Sequence, residues 1–237
     1  MRLDDEGFVQ GQYGSTSRLE TRISVWRAGP DGRTAQDVAL ELLAAKAPAR
    51  LLEVGCGTGA LAERCAAELR CEVTALDSSA AMVRVTAARG LHAIIGDVHE
   101  LPFADGAFDC AVAAWMLYHV PDLGRALGEL ARVLRPGGRL VAITNGEDSL
   151  RELWEAVGSE KLPSTFSREN GAESLGRQFA HVERHDVEAT AVFADRAAAA
   201  AYMDTLERGA LADRLPDGPW PLVARGAPTV FAADCGA

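Results

Sequence analysis

An α/β fold built on a mostly parallel β-sheet is what this 237-residue chain predicts, on three observations. From residue 34 to Asn145, extended and helical hydrophobic patterns alternate. The strand-like runs, "FDCAVAAWM" above all, are apolar almost throughout, as strands buried on both faces are. The strand "RLLEVG" also runs straight into a glycine-rich turn that opens a helix.

The elements follow in order. "TAQDVALELLAAKA" has helical apolar spacing and stops before Pro48. "RLLEVG" is a strand, "GALAERCAAELR" the helix after the glycine turn, and "CEVTALD" a second strand. "SSAAMVRVTAARG" is a helix with Ser78 expected at its N-cap and Gly90 at its end. "HAIIGD" and "FDCAVAAWM" are strands three and four, "DLGRALGELARVL" a helix stopped by "RPGG", and "RLVAITN" strand five. Beyond Asn145 two helices, "SLRELWEAVG" and "RENGAESLGRQF", flank "SEKLPSTFS". Then come the long alternating run "HVERHDVEATAVFAD", the helix "RAAAAAYMDTLERGALADRL", a Pro/Gly-rich loop and a last strand, "PTVFAAD".

These patterns suggest one domain over 1–237: an N-terminal lid segment (1–33), a core (34–147), a helical cover insertion (148–180) and C-terminal strands with a helix (181–237). The N-terminal "YGSTSRLETRISVW" is expected to form a helix over the crevice at the strand ends, where α/β sheets bind ligands. An apolar share of 48% and a charged share of 24% are those of an ordinary globular chain. The net charge of −10 gives no general attraction to nucleic acid or anionic lipid. No signal peptide or membrane span is expected. Five cysteines with no CxxC spacing read as reduced cytoplasmic thiols, and no metal site is expected.

Gly55, Gly57 and Gly59 permit a tight turn and let a ligand lie against the backbone at a helix N-terminus. The same turn satisfies the loose dinucleotide pattern, so it does not choose a cofactor. Three carboxylates do. Asp77, 18 residues beyond Gly59, can accept both hydroxyls of a ribose. Asp97, ending the third strand, can accept from an adenine amino group. Glu53 sets negative charge beside the turn, repulsive to a pyrophosphate and favourable to a sulfonium and an ammonium. A cationic adenosyl cofactor follows.

"EVGCGTG" resembles the glycine motif of class I S-adenosylmethionine-dependent methyltransferases. "ALD" resembles their ribose-binding acidic motif, and "GDVHELPFADGAFD" their adenine-binding segment. "MLYHVPD" and "LRPGGRL" resemble the stretches around the helix before strand five. The motifs come in order over residues 45–145, and the termini are similar to the bacterial small-molecule branch. The resemblance implies a Rossmann-like seven-stranded sheet with its last strand antiparallel, helices on both faces and a partly helical cover. It implies S-adenosyl-L-methionine as cofactor, with Glu53, Gly55, Cys56, Gly57 and Gly59 at the methionine half. Asp77 and Ser78 stand at the ribose, and Met82, Asp97, Val98 and Trp115 about the adenosine.

Tyr13, Arg18 and Arg22 are expected to close over the cofactor, an arginine meeting its carboxylate. Tyr118, His119, Trp154 and Phe166 are the expected acceptor pocket, with His119 a candidate general base. His181 and His185 read as surface strand residues. The reading is methyl transfer to a small-molecule acceptor by in-line displacement, giving S-adenosyl-L-homocysteine, with neither nucleic acid nor membrane as partner. A non-catalytic adenosyl-binding protein, an NAD-dependent dehydrogenase and a macromolecular methyltransferase are the alternatives. Monomer and homodimer fit equally.

Overall fold

The computed structural model describes residues 16–236. Strand β2 (Arg50–Val54) shows what organises the rest. Leu52 and Val54 point into one hydrophobic cluster, while Leu51 points into a second on the opposite face. The same parity holds for Ala111 and Ala113 against Cys110 and Val112 in β5 (Phe108–Ala114), and for Leu140 and Ala142 against Val141 and Ile143 in β6 (Leu134–Asn145). Strands apolar on both faces need helices on both faces.

Those helices are α2 (Ala35–Ala44) and α3 (Ala60–Leu69) on one side and α5 (Leu123–Val133) on the other. Thr34 starts α2 with a capping box: its hydroxyl accepts from Asp37 N, while the Asp37 carboxylate accepts from Thr34 N. With β3 (Glu72–Asp77), β4 (His92–Ile95), β7 (His181–Asp186) and β10 (Pro228–Asp234), the sheet runs β4-β3-β2-β5-β6-β10-β7. All neighbours pair in parallel except β10, which is antiparallel to both β6 and β7. This is the expected seven-stranded, Rossmann-like sheet with its last strand inserted antiparallel. Chain order reverses between β2 and β5, which places the crevice at their C-terminal ends.

Several expectations need correction. "HVERHDVEATAVFAD" is two strands in different sheets: after β7 the chain turns at Val187 and Glu188 into β8 (Ala189–Phe193). β8 pairs antiparallel with β1 (Trp26–Ala28) and β9 (Leu222–Gly226), a second three-stranded sheet. β9 lies in what read as a Pro/Gly-rich loop, and β1 at the end of what read as helix. Short alternating segments carry the same signature whichever sheet they join, so pattern alone does not sort them. "RPGG" does not separate helix from strand; it bulges within β6, where Phe108 faces Leu134 but Cys110 faces Arg139.

The cover helices are shorter than expected: α6 (Arg151–Ala156), α7 (Gly171–Gly176) and α8 (Arg196–Thr205). Over them, α1 (Thr16–Ser24) forms the expected N-terminal helix and packs against α8. A third hydrophobic cluster, with Val25, Leu153, Trp154, Phe193, Tyr202 and Met203, holds these elements together. No helix among the described residues is long and apolar enough to cross a membrane.

Arg139 and Asp234 face each other across β6 and β10, and the arginine donates to both carboxylate oxygens at 2.7 and 2.9 Å. That pairing, joined by Lys46 at 3.2 Å, holds the Asp234 carboxyl below its ordinary range. Its contribution is complete above the ordinary carboxylate range and is lost as pH falls through the depressed value. Replacing Asp234 by Ala strands a largely buried guanidinium, and urea unfolding is expected to show a loss of about 3 kcal/mol.

Candidate active site

The glycine turn follows β2, and all three of its glycines have positive φ: +70° at Gly55, +54° at Gly57 and +75° at Gly59. Their surroundings differ. A Cβ on Gly55 would meet the Met116 side chain at 2.8 Å, and one on Gly59 would meet Thr86 at 2.6 Å. Both are required by close packing of the turn on the protein itself. A Cβ on Gly57 would meet only Leu19 of α1, at 3.3 Å. Gly57 is therefore the glycine whose open side faces the lid helix.

Two acids lie under this turn. Glu53, on the parity of Leu51, is 2% exposed, and its Oε2 has no hydrogen-bond partner. Burial, offset in part by a hydrogen bond from Ala62 N–H and reinforced by the Asp77 charge, pushes its carboxyl from 4.5 up to about 8. The charge expected beside the turn is thus largely protonated at neutral pH without a cation to hold it. Asp77 ends β3, buried; Oδ2 accepts from Gly57 N at 2.9 Å and Oδ1 from Ser79 N at 2.8 Å. Burial raises the Asp77 carboxyl, against those two hydrogen bonds. Its remaining lone pairs are free for further donors.

Ser79, not Ser78, caps α4 (Ala80–Ala88), its hydroxyl accepting from Met82 N. The reason is Asp77, whose Oδ1 draws in the Ser79 N–H and leaves Ser78 exposed. Met82 is fully buried, so its side chain does not face an open crevice. Cys56 is buried against Thr86, its thiol pushed up by burial to about 12, which leaves it inert.

Beyond β4, Asp97 has a 67% exposed side chain. Burial would raise its carboxyl, but the His99 N–H and ring hydrogen bonds, at 2.9 and 2.7 Å, hold it low. The Asp97–His99 pair closes a turn and leaves Oδ2 for another donor; sequence reasoning passed over His99, two residues along in "GDVH". Val98 is buried behind it.

Trp115, the residue after β5, has φ +53°, a left-handed conformation that a bulky residue avoids. It lies half-buried at the order reversal, with its N–H donated to Ile143 O. Such strain, about 1–3 kcal/mol, collects at functional positions. Tyr118 and His119 follow in a single 3-10 turn, half-buried, their rings 4.5 Å apart edge to face. The Thr165 hydroxyl donates to Tyr118 O at 3.4 Å and ties this segment to the cover.

Arg18 of α1 lies 3.9 Å from Glu207, and Arg22 lies beside Tyr202 of α8, so both arginines engage the cover. Tyr13 falls outside the described residues. Phe166 is fully buried and meets Phe231 edge to face at 5.8 Å, so its ring belongs to the core and not to a pocket wall. Trp154 lies under the cover, 6% exposed, with Arg208 over its ring at 4.7 Å. Sequence reasoning missed Lys161, one of two lysines against 22 arginines. Its Nζ donates to Gly146 O at the end of β6, and burial lowers its pKa. His181 and His185 lie on the edge strand β7, as expected.

The order reversal, the open Gly57, the acid at the end of β3 and the orphaned Glu53 oxygen suit an adenosyl cofactor bearing positive charge. Residues 52–142 match the family described as a methyltransferase domain. The chain is 37% identical over 142 residues to the malonyl-[acyl-carrier protein] O-methyltransferase of Pseudescherichia vulneris, covering 58% of this chain and 56% of that one. It thus spans little more than half of that relative's length. Among solved structures it superposes on phosphoethanolamine N-methyltransferase 2 of Haemonchus contortus, bound to S-adenosylhomocysteine, with TM-score 0.64, 16% identity, and coverage of 100% and 61%. It also superposes on the [4+2]-cyclase SpnF, with TM-score 0.61, 23% identity, and coverage of 100% and 97%. Residues 52–142 thus carry a methyltransferase domain of the kind the sequence resembles, and the chain is similar to proteins named as methyltransferases.

Two outcomes follow from this geometry. Gly59→Ala, strained and clashing with Thr86, is expected to lose about 2–4 kcal/mol of stability, while Gly57→Ala loses only the 1–2 kcal/mol of its backbone strain. Calorimetric titration with S-adenosylhomocysteine should nonetheless show the larger loss of affinity in the folded Gly57 variant. Glu53 has a raised folded pKa, so its contribution is complete below 4.5 and is lost as pH rises through about 8. The melting temperature of the unliganded protein should therefore fall over that window, and Glu53→Gln, the same shape without the charge, should flatten the slope.

Proposed function

We propose that this protein transfers a methyl group from S-adenosylmethionine to a small-molecule acceptor by in-line displacement, with its residues acting mainly by positioning. The observation that carries this reading is the enclosed acid pair, Glu53 and Asp77, beneath a turn whose middle glycine is open. Bound S-adenosylmethionine supplies a methyl carbon already made electrophilic by a sulfonium, so no protein nucleophile is required. Asp77 would accept from the ribose hydroxyls, Asp97 and the Val98 N–H would hold adenine, and Glu53 would lose its proton beside the positive methionine half. Aligning acceptor and methyl donor in a dry crevice is worth on the order of 7–11 kcal/mol.

His119 and Tyr118 stand just beyond the end of β5, and in this reading they line the acceptor side with Trp154. A neutral His119 takes the proton that an alcohol or acid loses as it is methylated. The relative named for O-methylation supports an oxygen acceptor of that kind. The acidic chain and its inert thiols support a small-molecule reaction in the cytoplasm. A second reading, a scaffold that keeps the adenosyl site but does not transfer methyl, is favoured by one observation: the fold is shared along its whole length with a [4+2]-cyclase.

Titration of the wild type and Asp77→Ala with S-adenosylhomocysteine and with NAD tests the cofactor half. Saturable binding of the homocysteine compound alone, weakened at least tenfold by the substitution, is expected; binding of NAD instead would overturn the reading. Turnover of labelled S-adenosylmethionine against alcohols, carboxylic acids and amines then separates transfer from binding alone. If His119 is the base, His119→Ala should lower kcat about 10²–10⁴-fold and abolish the acidic limb of the pH profile, with KM for the cofactor unchanged.

A further inference from the structure

The third hydrophobic cluster contains a feature that packing does not explain. Trp154 of α6 is more than nine-tenths buried, and its indole Nε1–H has no hydrogen-bond partner among the described residues. A buried donor left unmade costs about 1–3 kcal/mol. Over the same ring, at 4.7 Å, lies the guanidinium of Arg208. Arg196 of α8 donates only to carbonyl oxygens, whereas Arg139 and Arg168 meet carboxylates, Asp234 and Asp148. Arg208 does not. Its two hydrogen bonds go to neutral oxygens, Glu160 O at 2.8 Å and Ser159 Oγ at 2.6 Å.

Three of its five N–H donors are left over. Burial lowers its pKa with no acid nearby to oppose the effect. An indole N–H and a guanidinium stacked on the same ring, both with donors to spare, are groups that an oxyanion can bind.

The position fits an acceptor. Arg208 clamps the Ser159–Glu160 loop, whose next residue, Lys161, reaches Gly146 O at the C-terminal end of β6. The adjoining Glu207 meets Arg18 of α1, the helix whose Leu19 lies over Gly57. Cover and glycine turn are thus joined through one helix.

We propose that the methyl acceptor carries an oxyanion, a carboxylate or a phosphate, held between Trp154 Nε1–H and the Arg208 guanidinium. This rests on the methyl-transfer reading for the word acceptor, but the anion site itself does not. Arg208 is a binding residue here, and Trp154 supplies the second donor and the stacking surface.

The test is titration of ¹⁵N-indole-labelled protein with malonate and, separately, with inorganic phosphate, with and without S-adenosylhomocysteine, following the four indole resonances. Sodium chloride at matched ionic strength is the control. Trp154→Phe assigns the signal and keeps the stacked ring. The expected result is a saturable downfield shift of the Trp154 signal alone, its dissociation constant raised at least tenfold in Arg208→Gln. Whichever of malonate and phosphate binds more tightly identifies the anion class.

The absence of a saturable shift under all conditions would overturn the proposal, as would a shift confined to Trp220 or one reproduced by chloride. Retention of the near-ultraviolet dichroism spectrum by Arg208→Gln shows that loss of binding is not loss of fold; if the variant unfolds, the shift in wild type against Trp154→Phe still decides. Failure of S-adenosylhomocysteine to bind while the anion does would overturn the cofactor reading and leave this site standing.

Discussion

The constraint on which the site depends is the lack of room around the glycine turn. At Gly55 and Gly59 the space a Cβ would take is already filled, by Met116 from beyond β5 and by Thr86 from α4. The turn is therefore pinned to two elements on either side of it, and both belong to the crevice. Met116 precedes the Tyr118–His119 turn, and Thr86 sits on the helix that Asp77 helps to start through Ser79. Close packing of this kind has two states, fitted or disrupted, and little between. It fixes the strand-to-helix turn, the acid at the end of β3 and the Tyr118–His119 segment relative to one another, and Thr86 adds a hydrogen bond to Gly57 O.

Electrostatics then complete what packing sets up. Two carboxyl groups are taken out of water below the same turn, at a cost that would be intolerable for two full charges. The molecule responds by keeping Glu53 protonated and by giving Asp77 two backbone N–H donors. A cation entering above would reverse the first adjustment. In the reading proposed above, a positively charged ligand would displace the proton that Glu53 holds. The cover holds a half-buried guanidinium, Arg208, whose hydrogen bonds go to neutral oxygens.

Much of this was legible in the chain. The glycines, Asp77 and Asp97 lie at strand ends, and strand ends show in a sequence as the abrupt change from apolar run to turn residues. The Ser78 cap failed by one residue because Asp77 competes for the same turn, and competition between two side chains for one backbone N–H leaves no pattern. Phe166 failed because a buried core aromatic and an aromatic pocket wall are the same letter. Arg208 and Lys161 were invisible for a plainer reason: a basic residue in a polar loop is ordinarily solvated, and only the packing of α6, α8 and β6 around them removes the water.

What the sequence by itself determined is the order of elements and the chemistry of each strand end, because hydrophobic period and turn residues are local properties. What only the tertiary structure decided is which strands share a sheet, which glycines are packed against the protein itself and which side chains meet across the fold. Those depend on what lies across a gap of a few ångströms from residues distant in the chain. Leu19 over Gly57 and Arg208 over Trp154 are contacts of that kind, and burial and pairing are properties of such neighbours.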